Sequence, residues 1–254
     1  MLGYRIISYL LPLISTLLIS LLFYEVGYLK YIYVLIFIFI FLGTYFFIIE
    51  KVKEKKLLLS YVLFNLLISY SSLTMFLFLE NIYFKIGIVL VNLFLSFIFL
   101  NNLFTIYFKK IIIDLNKLYL FFKQAQLFLI FFIASSFFGL RDFFNYSPYL
   151  TLIFFYIIIF LVTWYHDWQN YNLSISKLSY RLIYSLIITQ VFWALTILPQ
   201  LYFLKGIILT IIYFIFNELI IWNYTHKYEF KYLRNIMIVS IIIIILLLYT
   251  AIWF

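Results

Sequence analysis

Apolar runs long enough to cross a bilayer follow one another along nearly the whole chain, and this succession leaves little choice of fold. A helix needs about 20 residues to cross the hydrocarbon layer. Runs of that order fall near residues 5–24, 30–49, 57–79, 84–108, 120–140, 147–165, 180–198, 202–224 and 233–253. The chain is 68% hydrophobic and 11% charged over 254 residues, against about 25% charged in soluble domains. A soluble domain with a large core is therefore excluded. The expected fold is all-α, a polytopic transmembrane helical bundle of about nine spans. The fifth run is the exception in character. Its leading segment, "KKIIIDLNKLYLFFKQAQ", is amphipathic and reads equally as a stretch lying along the interface before the chain enters the bilayer.

The basic residues test the span count. With nine spans, the N-terminus and every second connection share one side. That side holds Arg5, Lys51, Lys53, Lys55, Lys56, Lys109, Lys110, Lys117, Lys123, Lys177, Arg181, Lys227, Lys231 and Arg234. The other side holds Lys30, Lys85, Arg141 and Lys205. Such asymmetry is what the positive-inside rule requires of a correct count. It places the N-terminus on the cytoplasmic or matrix side and the C-terminus opposite. The net charge of +9 is dispersed between apolar runs, which argues against nucleic acid as a partner. There is no cysteine, so disulfides and thiolate metal sites are excluded. No cleavable signal is expected, since no small-residue cleavage site follows the first apolar run. The 33 Phe and 25 Tyr, against 6 Gly and 3 Pro, follow A/T-rich codons and suggest an A/T-rich encoding genome, such as many mitochondrial genomes.

Small residues are scarce and no GxxxG occurs, so helix backbones are expected to sit apart, separated by Phe, Tyr and Ile. Polar groups inside the runs are few, and ionisable ones at membrane depth are functional candidates. They are Glu218, with Gln190, Asn65 and Asn92 as neutral amides; for both Asn the simple alternative is an interhelical hydrogen bond. Arg141 and Asp142 lie at a span end and are expected to pair with each other. Pro12 and Pro199 are placed near span ends. His166 and His226 lie at span ends, which excludes haem held between helices. Neither HExxH nor GxSxG is present, and a single buried Glu makes no proton relay. No internal repeat of the transporter type is found.

The stretch "WYHDWQN", Trp164–Asn170, closes an apolar run with a cluster of amphipathic groups. On the residues alone it is an interfacial belt: Trp164 and Trp168 anchor at headgroup level, and His166 and Asp167 reach headgroups or the next helix. Arg181 opens that helix on the same side and can neutralise Asp167 or a phosphate. The order of motifs around this stretch resembles subunit III of cytochrome c oxidase. In that family a W-W-R-D motif ends the second helix, and here Trp164, Tyr165, His166 and Asp167 stand at its positions. "SYRLIYSLIITQVFWAL" is similar to the third helix, with Arg181 at its start and "ITQVFWA" at the family's I-S-E-V-F-F-F. "IIWNYTHKYE" resembles the end of the fourth, with Trp222 at the motif Trp and Glu229 seven residues later. "LRNIMIVSIIIIILLLYT" looks like the fifth. The resemblance covers about residues 124–254.

The chain also departs from the family. His166 replaces the motif Arg, Gln190 replaces an intramembrane Glu, and Asn223 and Tyr224 displace the paired histidines, leaving only His226 nearby. The family has seven helices, so the last two are lacking here and four spans are added before. The domain expectation is an N-terminal extension over residues 1–123, with four transmembrane helices and an amphipathic linker, then a five-helix bundle over 124–254. Two missing helices would leave Ile207–Phe216 and Val239–Ile252 to be covered by another polypeptide or by the first four spans. The resemblance implies a non-catalytic subunit of a respiratory complex in the mitochondrial inner membrane, without a cofactor of its own. It would bind structural phospholipids at Trp164, His166, Asp167, Arg181, Trp222, His226 and Glu229, and brace the oxidase catalytic subunit. Two alternatives stand beside it. One is a small-solute or ion transporter, in which Asn65, Asn92, Gln190 and Glu218 converge on one water-filled path. The other is an accessory scaffold subunit of another bioenergetic complex.

Overall fold

The computed structural model describes residues 2–23, 29–48, 55–108, 115–169, 178–225 and 230–250. These form nine α-helices and no strand: α1 Leu2–Ser20, α2 Leu29–Ile48, α3 Lys55–Phe78, α4 Ile82–Phe108, α5 Leu115–Phe144, α6 Pro148–Gln169, α7 Leu178–Thr196, α8 Tyr202–Thr225 and α9 Phe230–Thr250. A single 3-10 turn, Leu21–Phe23, extends α1. Three segments are long and apolar enough to cross a membrane: Ile82–Asn101, Lys123–Phe144 and Tyr202–Ile220. The described residues are thus all-helical, and some of these helices suit a membrane protein. Several hydroxyls inside the helices bond back to their own helix. Thr16 donates to the Pro12 carbonyl at 2.8 Å, Thr189 to Ser185 at 2.7 Å and Thr210 to Gly206 at 2.8 Å, the local pattern that makes Ser and Thr tolerable inside a helix.

Turn chemistry sets the helix ends. Asn81 Oδ1 accepts the Tyr83 amide at 2.8 Å, an N-cap that starts α4. Asn145 adopts φ 50° and its amide donates to the Arg141 carbonyl at 3.1 Å, the left-handed stop of α5. Ser147–Pro148 then restarts the chain as α6, with Pro in the first turn, where its missing N–H is harmless. Two placements differ from the sequence expectation. Pro12 lies inside α1 rather than near its end; the helix continues through it without the N–H that would have met the Ser8 carbonyl. Leu115–Phe144 is one unbroken helix, so the amphipathic segment from Leu115 onward continues directly into the apolar one.

The chain divides into two compact units, Met1–Ala125 and Gln126–Phe254. In the first, α1 packs on α4 and α2, α2 on α3, and α3 on α4. The stripe Ile32, Ile36 and Ile40 fills its core at 0–2% exposure, four residues apart on one helix face. Phe64 and Phe99 join α3 to α4 with centroids 5.1 Å apart. Tyr70 stacks on Tyr33 at 5.4 Å and donates to its carbonyl at 2.9 Å.

In the second unit α6 packs on α7, α7 on α8 and α8 on α9. The Phe192 ring of α7 is sandwiched between Phe155 of α6 at 4.2 Å and Phe138 of α5 at 4.4 Å. Gly206 marks an unexpectedly close approach of α8 to α5. A Cβ built there would lie 3.1 Å from the Ser135 amide nitrogen, so at this point the helices are not held apart by large side chains. The segment Ile207–Phe216 is buried or half-buried throughout, whereas α9 exposes Val239, Ile242, Ile245 and Tyr249 among others. Of the two segments expected to need a cover, the described part of the second is the one that leaves large apolar side chains exposed.

Candidate functional site

Among the described residues of the second unit, the charged and amide side chains lie toward the two ends of the helices, apart from Gln190 on α7. At the end where α7 begins, the Tyr184 ring meets Tyr213 edge-on at 5.6 Å, and its hydroxyl donates to the Tyr213 carbonyl at 3.2 Å. Gln126 of α5 donates to the Tyr213 hydroxyl. This contact fixes the antiparallel register of α7 and α8. One turn further out on each helix lie Arg181 and the pair Asn217–Glu218, at one level by the 1.5 Å rise per residue. Arg181 is 8% exposed and Glu218 2%. Both therefore lie inside the unit, and Arg181 is not presented at its surface.

The Phe155–Phe192 stack sets the register of α6 against α7 in the same way. It brings the last turns of α6, with Trp164, His166 and Asp167, to the end where Arg181 starts α7 and Trp222 nears the end of α8. Trp222 is half-buried. The side chains of Trp164, His166 and Asp167 lie outside the described residues, as do His226 and Glu229 altogether.

At the opposite end, Lys205 Nζ meets Asp142 Oδ2 at 3.0 Å and lies 5.8 Å from the centroid of the Phe138 ring. The lysine side chain is 4% exposed and the aspartate 34%. This corrects the expected Arg141–Asp142 pairing. Neighbours one residue apart on a helix point in different directions, and the side chain that reaches Asp142 comes from α8. The sequence carried a signal for it, since Arg141, Asp142 and Lys205 all fall at the sparsely charged side. Gln200, in the turn between α7 and α8, is 5% exposed, and neither of its amide atoms bonds a described residue.

Gln190 sits near the middle of α7 but is exposed. It borders a groove of about 320 Å³ between α6 and α7, lined by Leu152, Ile153, Tyr156, Leu186, Thr189, Gln190 and Trp193. Glu218 lies inside the same unit, so these two members of the conceivable solute path face different environments. In the first unit Asn65 and Asn92 are 1% and 0% exposed. The Nδ2 of Asn65, both amide atoms of Asn92, and the hydroxyls of Ser69 and Ser96 bond no described residue. Across the α3–α4 hairpin, Asn65 lies near the level of Ser96 and Ser69 near that of Asn92. They form a neutral polar seam within one pair of helices. Among the described residues no group of three or more His, Asp or Glu is placed to hold a metal ion.

No protein-family model, curated protein or solved structure matches the chain. The functional reading therefore rests on the residues and on the geometry of the two units.

Proposed function

We propose that the chain is a non-catalytic membrane subunit whose nine helices all cross the bilayer, with the N-terminus on the matrix or cytoplasmic side. The assembly it serves is a respiratory oxidase of the mitochondrial inner membrane, where it acts as a subunit III-like component. The observation that carries this reading is the coincidence of charge with helix ends. Fourteen of the 18 basic residues fall on one side if every helix in the observed order is a crossing. What supports the finer assignment is the order of Trp164–Asp167, Arg181, Gln190 and Trp222 along α6, α7 and α8, together with helix registers that set Trp164, Asp167, Arg181 and Trp222 at one end of the second unit.

In this role the end of the unit near Arg181 binds structural phospholipid. The tryptophans hold headgroup level, and basic residues of the α6–α7 and α8–α9 connections, Lys177 and Lys227, neutralise phosphate. Tyr184 and Tyr213, buried beneath, hold α7 against α8. The transporter alternative loses support, because Gln190 faces outward while Glu218 faces inward. Purification of the tagged chain from mild detergent tests the assignment. Co-elution with a haem a-type absorption spectrum and with an oxidase catalytic subunit is expected. Elution without haem, alone or with a different complex, removes the oxidase reading and leaves the scaffold reading.

A further inference from the structure

Four residues of α7, Ile183, Leu186, Gln190 and Trp193, are spaced three, four and three apart and all point outward. Ile183 is 59% exposed, Leu186 48% and Trp193 52%. Such spacing is the seam of a pair of helices packed at a shallow angle. Its one polar member is Gln190, whose amide makes no hydrogen bond to a described residue. On the reading that α7 crosses the bilayer, this amide lies near mid-depth and faces hydrocarbon. An unsatisfied amide there is strongly unfavourable, and an acyl chain, having neither donor nor acceptor, cannot relieve it.

We infer that this face binds a second copy of the same chain, with the two α7 helices in parallel about a two-fold axis along the membrane normal. Three features select a copy over another occupant. A carboxamide carries both a donor and an acceptor, so two Gln190 side chains satisfy each other reciprocally. A two-fold axis along the normal sets identical residues at identical depth, so the amides meet without further adjustment. The groove beside Gln190 opens at the level of Trp193, between Leu152 and Tyr156 of α6, and at about 320 Å³ it has room for an aromatic side chain of the facing copy. The inference rests on the membrane reading of α7 and is independent of the oxidase assignment.

The chain contains no cysteine, so single-cysteine variants of the full protein report directly on this face. In proteoliposomes, oxidation of Ile183→Cys and Leu186→Cys variants is expected to give disulfide-linked dimers, with Val239→Cys on the exposed face of α9 as the control. Adding Gln190→Leu is expected to weaken association about 3- to 30-fold, the range measured for single polar contacts between membrane helices, and Gln190→Asn to restore part of it. Dimer yields no higher than the control, yields unchanged by Gln190→Leu, or a link formed in cell membranes to a different polypeptide overturns the inference. A membrane-impermeant maleimide separates the two levels of failure. Ready labelling of Leu186→Cys from water removes the membrane reading of α7 itself, whereas a protected but monomeric Leu186→Cys removes only the dimer.

Discussion

Lys205 shows how a single residue can be well placed and still demand a partner. Its ammonium is buried against the Phe138 ring, with Asp142 as its counter-ion 3.0 Å away. Removing the counter-ion of a buried charge strands that charge, whereas replacing Lys205 itself leaves only Asp142, whose side chain is 34% exposed and reaches water. Asp142→Ala strands the cation and is expected to lower stability by about 3 kcal/mol, whereas Lys205→Met is expected to cost about 1 kcal/mol or less. The partial exposure of Asp142 keeps the first figure at the low end. Thermal unfolding of the detergent-solubilised protein checks the order, and the double variant should resemble Lys205→Met. Equal losses for both single variants would show that the pair contributes by packing alone. The next residue, Gly206, is constrained by space. A methyl group there meets both the Ser135 side chain and its backbone nitrogen at 3.1 Å. Gly206→Ala is expected to destabilise by about 1–3 kcal/mol, as overpacking commonly does. Adding Ser135→Ala should recover only part of this, because the backbone contact remains; full recovery would place the conflict in the hydroxyl alone.

At the scale of the helix, the number and order of elements were legible because each crossing-length run is bounded by charges or turn residues. The run near 84–108 is α4, Ile82–Phe108, and the run near 202–224 is α8, Tyr202–Thr225. Which way each helix faces was not legible. The polar residues of α7 are spread around the helix, so nothing in its periodicity told that Gln190 points out while Ser185 and Ile188 point in. That choice is made by the Phe138–Phe192–Phe155 stack, whose members are far apart in sequence. A separation of 63 residues likewise hid the partner of Asp142. The burial of Arg181 was missed because a span-end arginine normally reads as a surface group. Helix ends carry a test of their own. Asn145 stops α5 in the left-handed region at φ 50°, where a β-branched side chain is strained and Gly is free. Asn145→Val is expected to lower stability by about 1–2 kcal/mol, and Asn145→Gly to leave it unchanged or slightly raised. A thermal melt of both variants decides this, and equal behaviour would mean that the turn tolerates another conformation.

For the whole molecule the question is which ends of the helices share a side of the membrane. Three short turns lie wholly among the described residues: 79–81 between α3 and α4, 145–147 between α5 and α6, and 197–201 between α7 and α8. A short turn returns the chain antiparallel to itself. If every helix crosses, all three tips therefore lie on one face and the connections after α2, α4, α6 and α8 on the other. The three tips hold few cations, and these are engaged at least in part: Lys85 sits 5.2 Å from the centre of the Phe76 ring, and Lys205 is buried against Asp142. The opposite connections carry Lys51 to Lys56, Lys109 and Lys110, Lys177, and Lys227 to Arg234. Retention of the basic side in the cytoplasm or matrix is the rule for connections this short. In sealed vesicles, a membrane-impermeant thiol reagent is therefore expected to label cysteines placed at 53 and 231 from the same face, and one at 145 only from the other. The absence of native cysteine makes each signal unambiguous. Labelling of 53 and 231 from opposite faces would mean that the helices between them do not all cross, and the nine-span arrangement would fall. Because six helices, α3 to α8, lie between those two positions, the paired measurement tests whether an even number of them crosses. Position 145 then tests the parity within the second unit, where the proposed lipid-binding end and the Gln190 face both depend on it.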